Sequence, residues 1–164
     1  MPSMQLLQQK ADINIADIIS KSIKFDFKNQ KTLIVFDTQN ELTKILTNSY
    51  KKLLPEAKLI NIDASNREEI ITSFNQMSAN DLVVLIQSSS FRLDKFRIRL
   101  HLFNLNLRVI EHLHLYRNPE ETWEIYIDSL AYDENWYHTM GKFLINKLDT
   151  DKDLIITSSD QENN

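Results

Sequence analysis

The chain has 164 residues, of which 42% are hydrophobic and 26% charged, and its formal net charge is −4. This length suits one hydrophobic core of ordinary size, and the acidic balance argues against nucleic acid as a partner, because that requires a basic surface. The absence of cysteine rules out disulfides, thiolate nucleophiles and cysteine-ligated metal clusters. The single glycine, Gly141, excludes the glycine-rich loops that bind dinucleotides and nucleoside triphosphates.

Short apolar runs bounded by polar residues predict β-strands. Thr32–Asp37 is rich in β-branched residues and apolar on both faces, which is typical of a buried parallel strand. The other predicted strands are Lys58–Ile62, Asp81–Ile86, Leu107–Glu111 and Asp153–Thr157. None of these runs approaches the length of a membrane span, and residues 1–10 lack the pattern of a signal peptide. We therefore expect a cytoplasmic protein without a membrane partner.

Amphipathic segments between these runs predict helices. Apolar residues at spacings of three and four favour a helix over Glu41–Leu54, just before Pro55. Asn66 is expected to cap a helix that extends to about Met77, and Asn118-Pro119-Glu120 is expected to start another. Further helices are predicted for Ala16–Ile23, for Phe91–Asn104 and for a long segment that Asp133 caps.

The alternation of strands and helices is typical of βαβ units with right-handed crossovers. It predicts an α/β fold, specifically a three-layer Rossmann-like sandwich with a mostly parallel sheet of about five strands. We expect a single domain over residues 1–157, followed by a polar tail over residues 158–164.

A candidate anion site lies at the carboxyl end of the third predicted strand. Ser88, Ser89 and Ser90 offer hydroxyl donors at the start of a predicted helix, and Arg92 offers a charged fork for a carboxylate or phosphate. The simpler interpretation is that Ser90 only caps the helix and that Arg92, Lys95 and Arg99, at spacings of three and four, form a solvated helix face.

Two histidines near the fourth predicted strand are weak candidates for a metal site. If that strand continues through Leu115, His112 and His114 point to the same side and could share a metal. The sequence nominates no third ligand, so hydrogen bonding at the strand end or a subunit contact is the favoured interpretation. We assign no metal to this chain.

No complete catalytic constellation emerges from the residues. Asp37 ends the first predicted strand, but Asn29, Gln30 and Lys31 stand where a phosphoacceptor domain would carry its acidic pair. Asp37 is therefore expected to cap a turn. A nucleophile elbow is also excluded, because its turn requires flanking glycines. No catalytic residue is predicted.

The stretch Asp81–Leu115 (DLVVLIQSSSFRLDKFRIRLHLFNLNLRVIEHLHL) resembles the N-terminal domain of the aminopeptidase T or thermophilic leucyl aminopeptidase type of metallopeptidase. The resemblance is most specific at LVVLIQSSSFR, FRIRL and VIEHLHL, and extends more weakly over roughly residues 15–157. The glycines that usually precede the first and fourth strands are replaced by Asn29-Gln30-Lys31 and by Asn106.

The resemblance implies an N-terminal α/β domain that is followed by a catalytic part with a pair of divalent metal ions, zinc or cobalt. It also implies hydrolysis of N-terminal peptide bonds by that part, and a dimeric hydrolase. This chain is then expected to be non-catalytic, to shape the substrate cleft and to contact the C-terminal catalytic part or a homologous subunit, including in a homodimer. The alternative is a stand-alone module without enzymatic activity that binds a small anion or another protein.

Overall fold

The computed structural model describes residues 2–89 and 98–150. The chain divides into two compact units, Met1–Ala131 and Tyr132–Asn164. Among the described residues, the first unit contains the β-sheet and five α-helices, and the second contains one α-helix.

The first unit is built on a parallel sheet of four strands in the order β2-β1-β3-β4. This confirms the predicted α/β class, although the described sheet is one strand smaller than the expected five. Each of these strands lies within one residue of its predicted bounds at either end: β1 Thr32–Phe36, β2 Lys58–Asn61, β3 Leu82–Ile86 and β4 Arg108–His112. The fifth predicted strand, Asp153–Thr157, lies outside the described residues.

Six α-helices occur among the described residues. The first continues into a π-helical turn at Ile18–Ser22, and short 3₁₀ turns at Leu115–Arg117 and Glu120–Thr122 precede the fifth. The α-helices are α1 Met4–Asp17, α2 Glu41–Leu53, α3 Arg67–Asn75, α4 Ile98–Asn104, α5 Trp123–Asp128 and α6 Glu134–Thr150. No helix in the part of the chain that the structure describes is long and apolar enough to cross a membrane.

Side-chain caps begin several of these helices. Asn66 accepts a hydrogen bond from the Glu69 N–H, which confirms the predicted cap of α3. Asn40 caps α2 in the same way through the Leu42 N–H. These contacts satisfy backbone donors that have no partner within the helix.

Two predicted helix starts are wrong. The N-terminal helix begins at Met4, with Ser3 as its cap, rather than near Ala16, because buried residues recur every fourth position: Leu7, Ala11, Ile15 and Ile19. Asn118 does not cap α5; its backbone carbonyl accepts a hydrogen bond from Trp123 Nε1, and the helix begins at Trp123. The proline at this position leads into a 3₁₀ turn instead.

The sheet separates two apolar layers, and this confirms the three-layer sandwich. Alternate residues of one strand point to opposite faces. Ile34 of β1 packs on one face with residues from α1, α2 and α5, whereas Leu33 packs on the other face with residues from α3 and α4. All five residues of β3 are buried, as expected for a central parallel strand.

Asparagine supplies left-handed backbone conformation at two turns of this glycine-poor chain. Asn80 (φ 71°) precedes β3, and Asn106 (φ 53°) precedes β4. The two turns are connected, since the Asn80 N–H donates to the Asn106 carbonyl at 2.9 Å. Asparagine tolerates this region better than most residues, so these turns form without glycine.

The second unit is described by helix α6 and the residues just before it. The Asp133 carboxylate accepts a hydrogen bond from the Trp136 N–H, which confirms Asp133 as the predicted cap. Tyr132 stacks on Tyr137 with the ring centroids 5.0 Å apart. Several large apolar side chains of α6 are exposed: Trp136, Tyr137, Phe143, Leu144, Ile145 and Leu148.

Candidate functional site

The carboxyl ends of β1, β3 and β4 bring three buried polar side chains to one edge of the sheet. Asp37 follows β1, Ser88 follows β3, and His112 is the last residue of β4. Backbone hydrogen bonds hold these ends in register: the Asp37 N–H donates to the Ile86 carbonyl, and the Gln87 N–H donates to the His112 carbonyl. Ligands of open α/β sheets bind at this edge, so the side chains that lie here are the candidates for a functional site.

Asp37 and Ser88 form a closed buried contact. The Ser88 backbone N–H and its Oγ each donate to the Asp37 carboxylate at 2.6 Å, one to each oxygen. The Gln39 N–H donates to the same carboxylate at 3.2 Å. Asp37 and Ser88 are 5% and 4% exposed, so the carboxylate is directed into the protein. This arrangement confirms Asp37 as a residue that caps a turn, and it also ties the ends of β1 and β3 together.

Asp63 follows the neighbouring strand β2 and, unlike Asp37, is exposed to solvent. Its carboxylate accepts hydrogen bonds from the Thr38 N–H at 3.2 Å and from Gln39 Nε2 at 2.6 Å. The two aspartates therefore follow adjacent strands but differ in burial, and only Asp37 is sealed from solvent.

His112 lies between two tyrosines that come from helices α2 and α5. Tyr50 Oη is 2.9 Å from Nε2 of the histidine, and Tyr126 Oη is 2.8 Å from Nδ1. A neutral imidazole donates at one nitrogen and accepts at the other, so one tyrosine hydroxyl donates to the ring and the other accepts from it. We call Tyr50, His112 and Tyr126 the tyrosine–histidine triad.

Burial keeps all three members of the triad uncharged at neutral pH. Desolvation lowers the pKa of His112 to about 4 and raises the pKa of Tyr126 to about 12. The pKa of Tyr50 is raised further above its ordinary value by desolvation and, to a smaller degree, by Tyr126. The triad is therefore a neutral hydrogen-bonded connection between α2, β4 and α5, and it lacks a group that is ready to act as a base or nucleophile near pH 7.

His114 occupies a different position from His112. Strand β4 ends at His112, so the alternation that would place both histidines on one side does not extend to His114. His114 adopts a left-handed conformation (φ 56°), and its ring contacts Tyr116. Its Nδ1 is buried and has no hydrogen-bond partner among the described residues. Within residues 2–89 and 98–150, no three histidine, aspartate or glutamate side chains are grouped so that they could hold a metal ion.

The predicted anion site is described only in part. Ser88 donates both its N–H and its hydroxyl to Asp37, whereas Ser89 is exposed. Ser90 and Arg92 lie outside the described residues. Of the two serines of this site that the structure describes, Ser88 is engaged by Asp37 and Ser89 is exposed. The anion site stays a prediction.

A second surface feature lies beside β4, on the face of the sheet that packs against α4. A shallow groove runs between α4 and the outer side of β4, lined by Phe103, Leu107 and Val109 together with an ion pair between Arg99 and Glu111. Leu100 and Phe103 are 55% and 76% exposed on α4. The groove is thus apolar along most of its length and carries balanced charge.

No protein-family model, no curated protein and no solved structure matches this chain. The class that the structure defines is an α/β protein with a parallel sheet between two helical layers.

Sequence reasoning missed the tyrosine partners of His112. Tyr50 lies on a helix that was predicted accurately, but its hydroxyl meets a histidine 62 positions later in the chain. The available signal was weak: a histidine at the end of a parallel strand must find partners in the flanking helices if it is buried, and tyrosine is a common partner.

Proposed function

We propose that this chain is the N-terminal, non-catalytic domain of a metal-dependent aminopeptidase-like protein, in which it shapes the substrate cleft and contributes contacts between subunits. The observation that carries the proposal is the resemblance of Asp81–Leu115 to that family. In the described part of this stretch the chain forms β3, α4 and β4, and its two strands are half of the four in the described sheet.

The chemistry of the carboxyl edge supports a framing role rather than a catalytic one. The Asp37 carboxylate accepts three hydrogen bonds from its own protein, and both ring nitrogens of His112 are engaged by tyrosines. Groups held in this way stabilise the ends of the strands, and they would have to break buried hydrogen bonds before binding a substrate.

The pair of divalent ions implied by the family does not fit the described residues. His112 would lose a tyrosine contact on binding a metal, and His114 belongs to no group of three metal-ligating side chains among residues 2–89 and 98–150. We therefore place zinc or cobalt, and the water that such ions activate, in the C-terminal catalytic part of the proposed parent protein.

The decisive experiment reads the coding sequence downstream of codon 164 and assays the parts separately. We expect the frame to continue into a segment rich in glutamate, histidine and glycine. The chain alone should not hydrolyse an aminoacyl p-nitroanilide with zinc or cobalt present, whereas the longer product should. Removing residues 1–131 from the longer product should lower kcat/KM for peptides. Metal-dependent hydrolysis by residues 1–164 alone would refute the non-catalytic assignment.

The alternative, a stand-alone module that binds a small anion, has its own test. Under that hypothesis inorganic phosphate raises the melting temperature of the chain, and Arg92→Ala abolishes the rise. Arg67→Ala is a matched control, because Arg67 is an arginine at the start of α3, outside the predicted anion site. An unchanged melting temperature in phosphate would remove this alternative and leave the aminopeptidase-like proposal unaffected.

A further inference from the structure

Strand β4 has a side that no other described strand covers. The Arg108 N–H donates to the Asp81 carbonyl at 3.0 Å, and the His112 carbonyl accepts from the Gln87 N–H at 2.8 Å. Because backbone direction alternates along a strand, the N–H and C=O groups of Val109 and Glu111 point the opposite way, out of the sheet. Within residues 2–89 and 98–150, nothing pairs with these groups as a strand.

The helix beside this strand edge adds apolar surface to it. Phe103 and Leu100 lie on one side of α4, three residues apart, and both are largely exposed. Phe103, Leu107 and Val109 line the same groove and form a continuous apolar strip next to the outward backbone groups. An aromatic side chain such as Phe103 buries about 150–250 Å² when covered, so the strip is large enough to matter in an interface.

The opposite edge of the sheet, β2, is protected against pairing. Strand β2 has only four residues and begins with the exposed lysine Lys58. Short length and lysine are devices by which edge strands avoid pairing with other chains. On β4, Glu111 is neutralised by Arg99 of the same chain, so its charge does not repel an incoming strand.

We propose that β4 pairs antiparallel with β4 of a second copy of this chain, about a two-fold axis at Ile110. In this register Val109 of one copy exchanges both backbone hydrogen bonds with Glu111 of the other, and the same pair recurs across the axis. The two parallel sheets then form one continuous sheet, and the apolar strips on the two α4 helices face each other across the axis.

The charges of the strand select this register. Glu111 lies opposite Val109 of the second copy, so the two glutamates are kept apart. Moving the axis to Glu111 would place the two carboxylates directly opposite each other, and like charges at such a position destabilise the pair. A parallel arrangement is incompatible with two-fold symmetry. Self-pairing at Ile110 therefore satisfies the outward backbone groups without opposing like charges.

This inference rests on the subunit-contact part of the proposed function, but it does not depend on peptidase activity. Sedimentation of the chain therefore tests it separately from the assays above. The full chain is expected to show a concentration-dependent equilibrium between monomer and dimer. In the dimer, the Val109 and Glu111 amides should exchange hydrogen slowly, and their protection should decrease on dilution.

Matched substitutions on the two edges make the test specific. Val109→Pro removes an outward N–H that the described sheet does not use. Leu59→Pro is the equivalent change on β2: the Ile62 N–H donates to β1, so by alternation the Leu59 N–H points outward. Phe103→Asp charges the apolar strip, and Ile13→Asp charges an exposed position on α1. Val109→Pro and Phe103→Asp should raise the dissociation constant about tenfold or more, and the two controls should leave it unchanged.

Three results would overturn the proposal. The first is a chain that stays monomeric up to about 1 mM, even if its Val109 and Glu111 amides are protected, because the predicted strand Asp153–Thr157 of the same chain would then be the occupant of this edge. The second is a dimer that is insensitive to both Val109→Pro and Phe103→Asp, since it would use another surface. The third is equal weakening by the β4 variants and their controls, because that indicates general destabilisation.

Discussion

Two polar networks connect secondary-structure elements in the first unit, and they differ in burial. The first comprises the tyrosine–histidine triad and the contact between Asp37 and Ser88, in which Asp37, Ser88 and His112 are 5%, 4% and 3% exposed. The second joins α1 to α2 through Gln8, Asp12, Ser49 and Lys52. We call them the carboxyl-edge network and the α1–α2 network.

The difference in burial predicts a difference in energetic weight. In the carboxyl-edge network, loss of one partner leaves a buried donor or acceptor without water, at a cost of about 1–3 kcal/mol per group. In the α1–α2 network, Lys52 is 74% exposed, so solvent competes for the ion pair that it forms with Asp12. The hydrogen bonds of the two networks have similar lengths, and the exposure of Lys52 separates its contact with Asp12 from the buried contacts of Asp37.

The largest effect is expected for Asp37→Ala. The substitution removes the acceptor for the Ser88 N–H and Oγ, both of which are buried. We expect the free energy of unfolding to fall by about 4 kcal/mol. Urea denaturation measures the change, and Asp63→Ala is the matched control at the exposed end of β2, with an expected loss below about 1 kcal/mol. Equal losses for the two variants would contradict the contrast between buried and exposed contacts.

Acidification should weaken the carboxyl-edge network before the α1–α2 network. The pKa of His112 is lowered by burial from 6.5 to about 4, so below pH 6.5 the unfolded chain binds a proton that the folded chain does not. Stability should therefore fall as the pH decreases from 6.5 to 4, by about 3 kcal/mol in total. Burial raises the pKa of Asp12, but hydrogen bonds from Lys52, Ser49 and Gln8 outweigh burial and lower the pKa below 3.8. The stability that the ionised Asp12 carboxylate provides is therefore lost only in stronger acid.

Fluorescence provides a readout for this pH dependence. Trp123 is 8% exposed in the first unit and Trp136 is 54% exposed in α6, so a Trp136→Phe background reports unfolding of the first unit. His112→Gln should flatten the dependence between pH 6.5 and 4. His138→Gln changes an exposed histidine of α6 and should leave it intact. A steep dependence that persists in His112→Gln would assign the titration to other groups.

Removing one hydroxyl from the triad should have a smaller effect. Tyr50→Phe deletes the partner of His112 Nε2 and keeps the aromatic packing of a side chain that is fully buried. We expect a loss of about 2 kcal/mol in the free energy of unfolding. The control is Tyr116→Phe, because Tyr116 is 56% exposed and its hydroxyl is accessible to water. If both variants unfold at the same urea concentration, the hydrogen bond to His112 contributes nothing to stability.

The sequence was sufficient for the strands and for several helix ends because these depend on local patterns. Thr32–Phe36 is apolar at every position, and Asn66 precedes two glutamates in the first turn of α3. The start of α1 was missed because its buried residues recur at a spacing of four among glutamines, which weakens the apolar stripe. The periodicity was present, but Leu7 and Ala11 gave less contrast than the isoleucines that follow.

The contacts of the candidate site depend on long-range geometry that local patterns do not encode. Asp37 and Ser88 are 51 positions apart, and His112 and Tyr50 are 62 positions apart. The order of the strands decides which ends are neighbours, and burial then decides which polar groups must pair. A sequence alone identifies Asp37 and His112 as residues at strand ends, but it does not identify the side chain that each one meets.

The smallest effect is expected for Lys52→Met in the α1–α2 network. Lys52 Nζ lies 2.7 Å from Asp12 Oδ2, but the lysine is mostly solvated. When the lysine is replaced, Ser49 and Gln8 still donate to the other carboxylate oxygen of Asp12. We expect the free energy of unfolding to fall by about 0.5 kcal/mol or less at low ionic strength, and not at all in about 1 M salt, because screening acts on exposed pairs.

Ser49→Ala is the informative partner variant, since Ser49 is 2% exposed and donates to Asp12. Its expected loss of about 1 kcal/mol should be insensitive to salt. A salt-sensitive loss of several kcal/mol for Lys52→Met would show that burial does not separate the two networks.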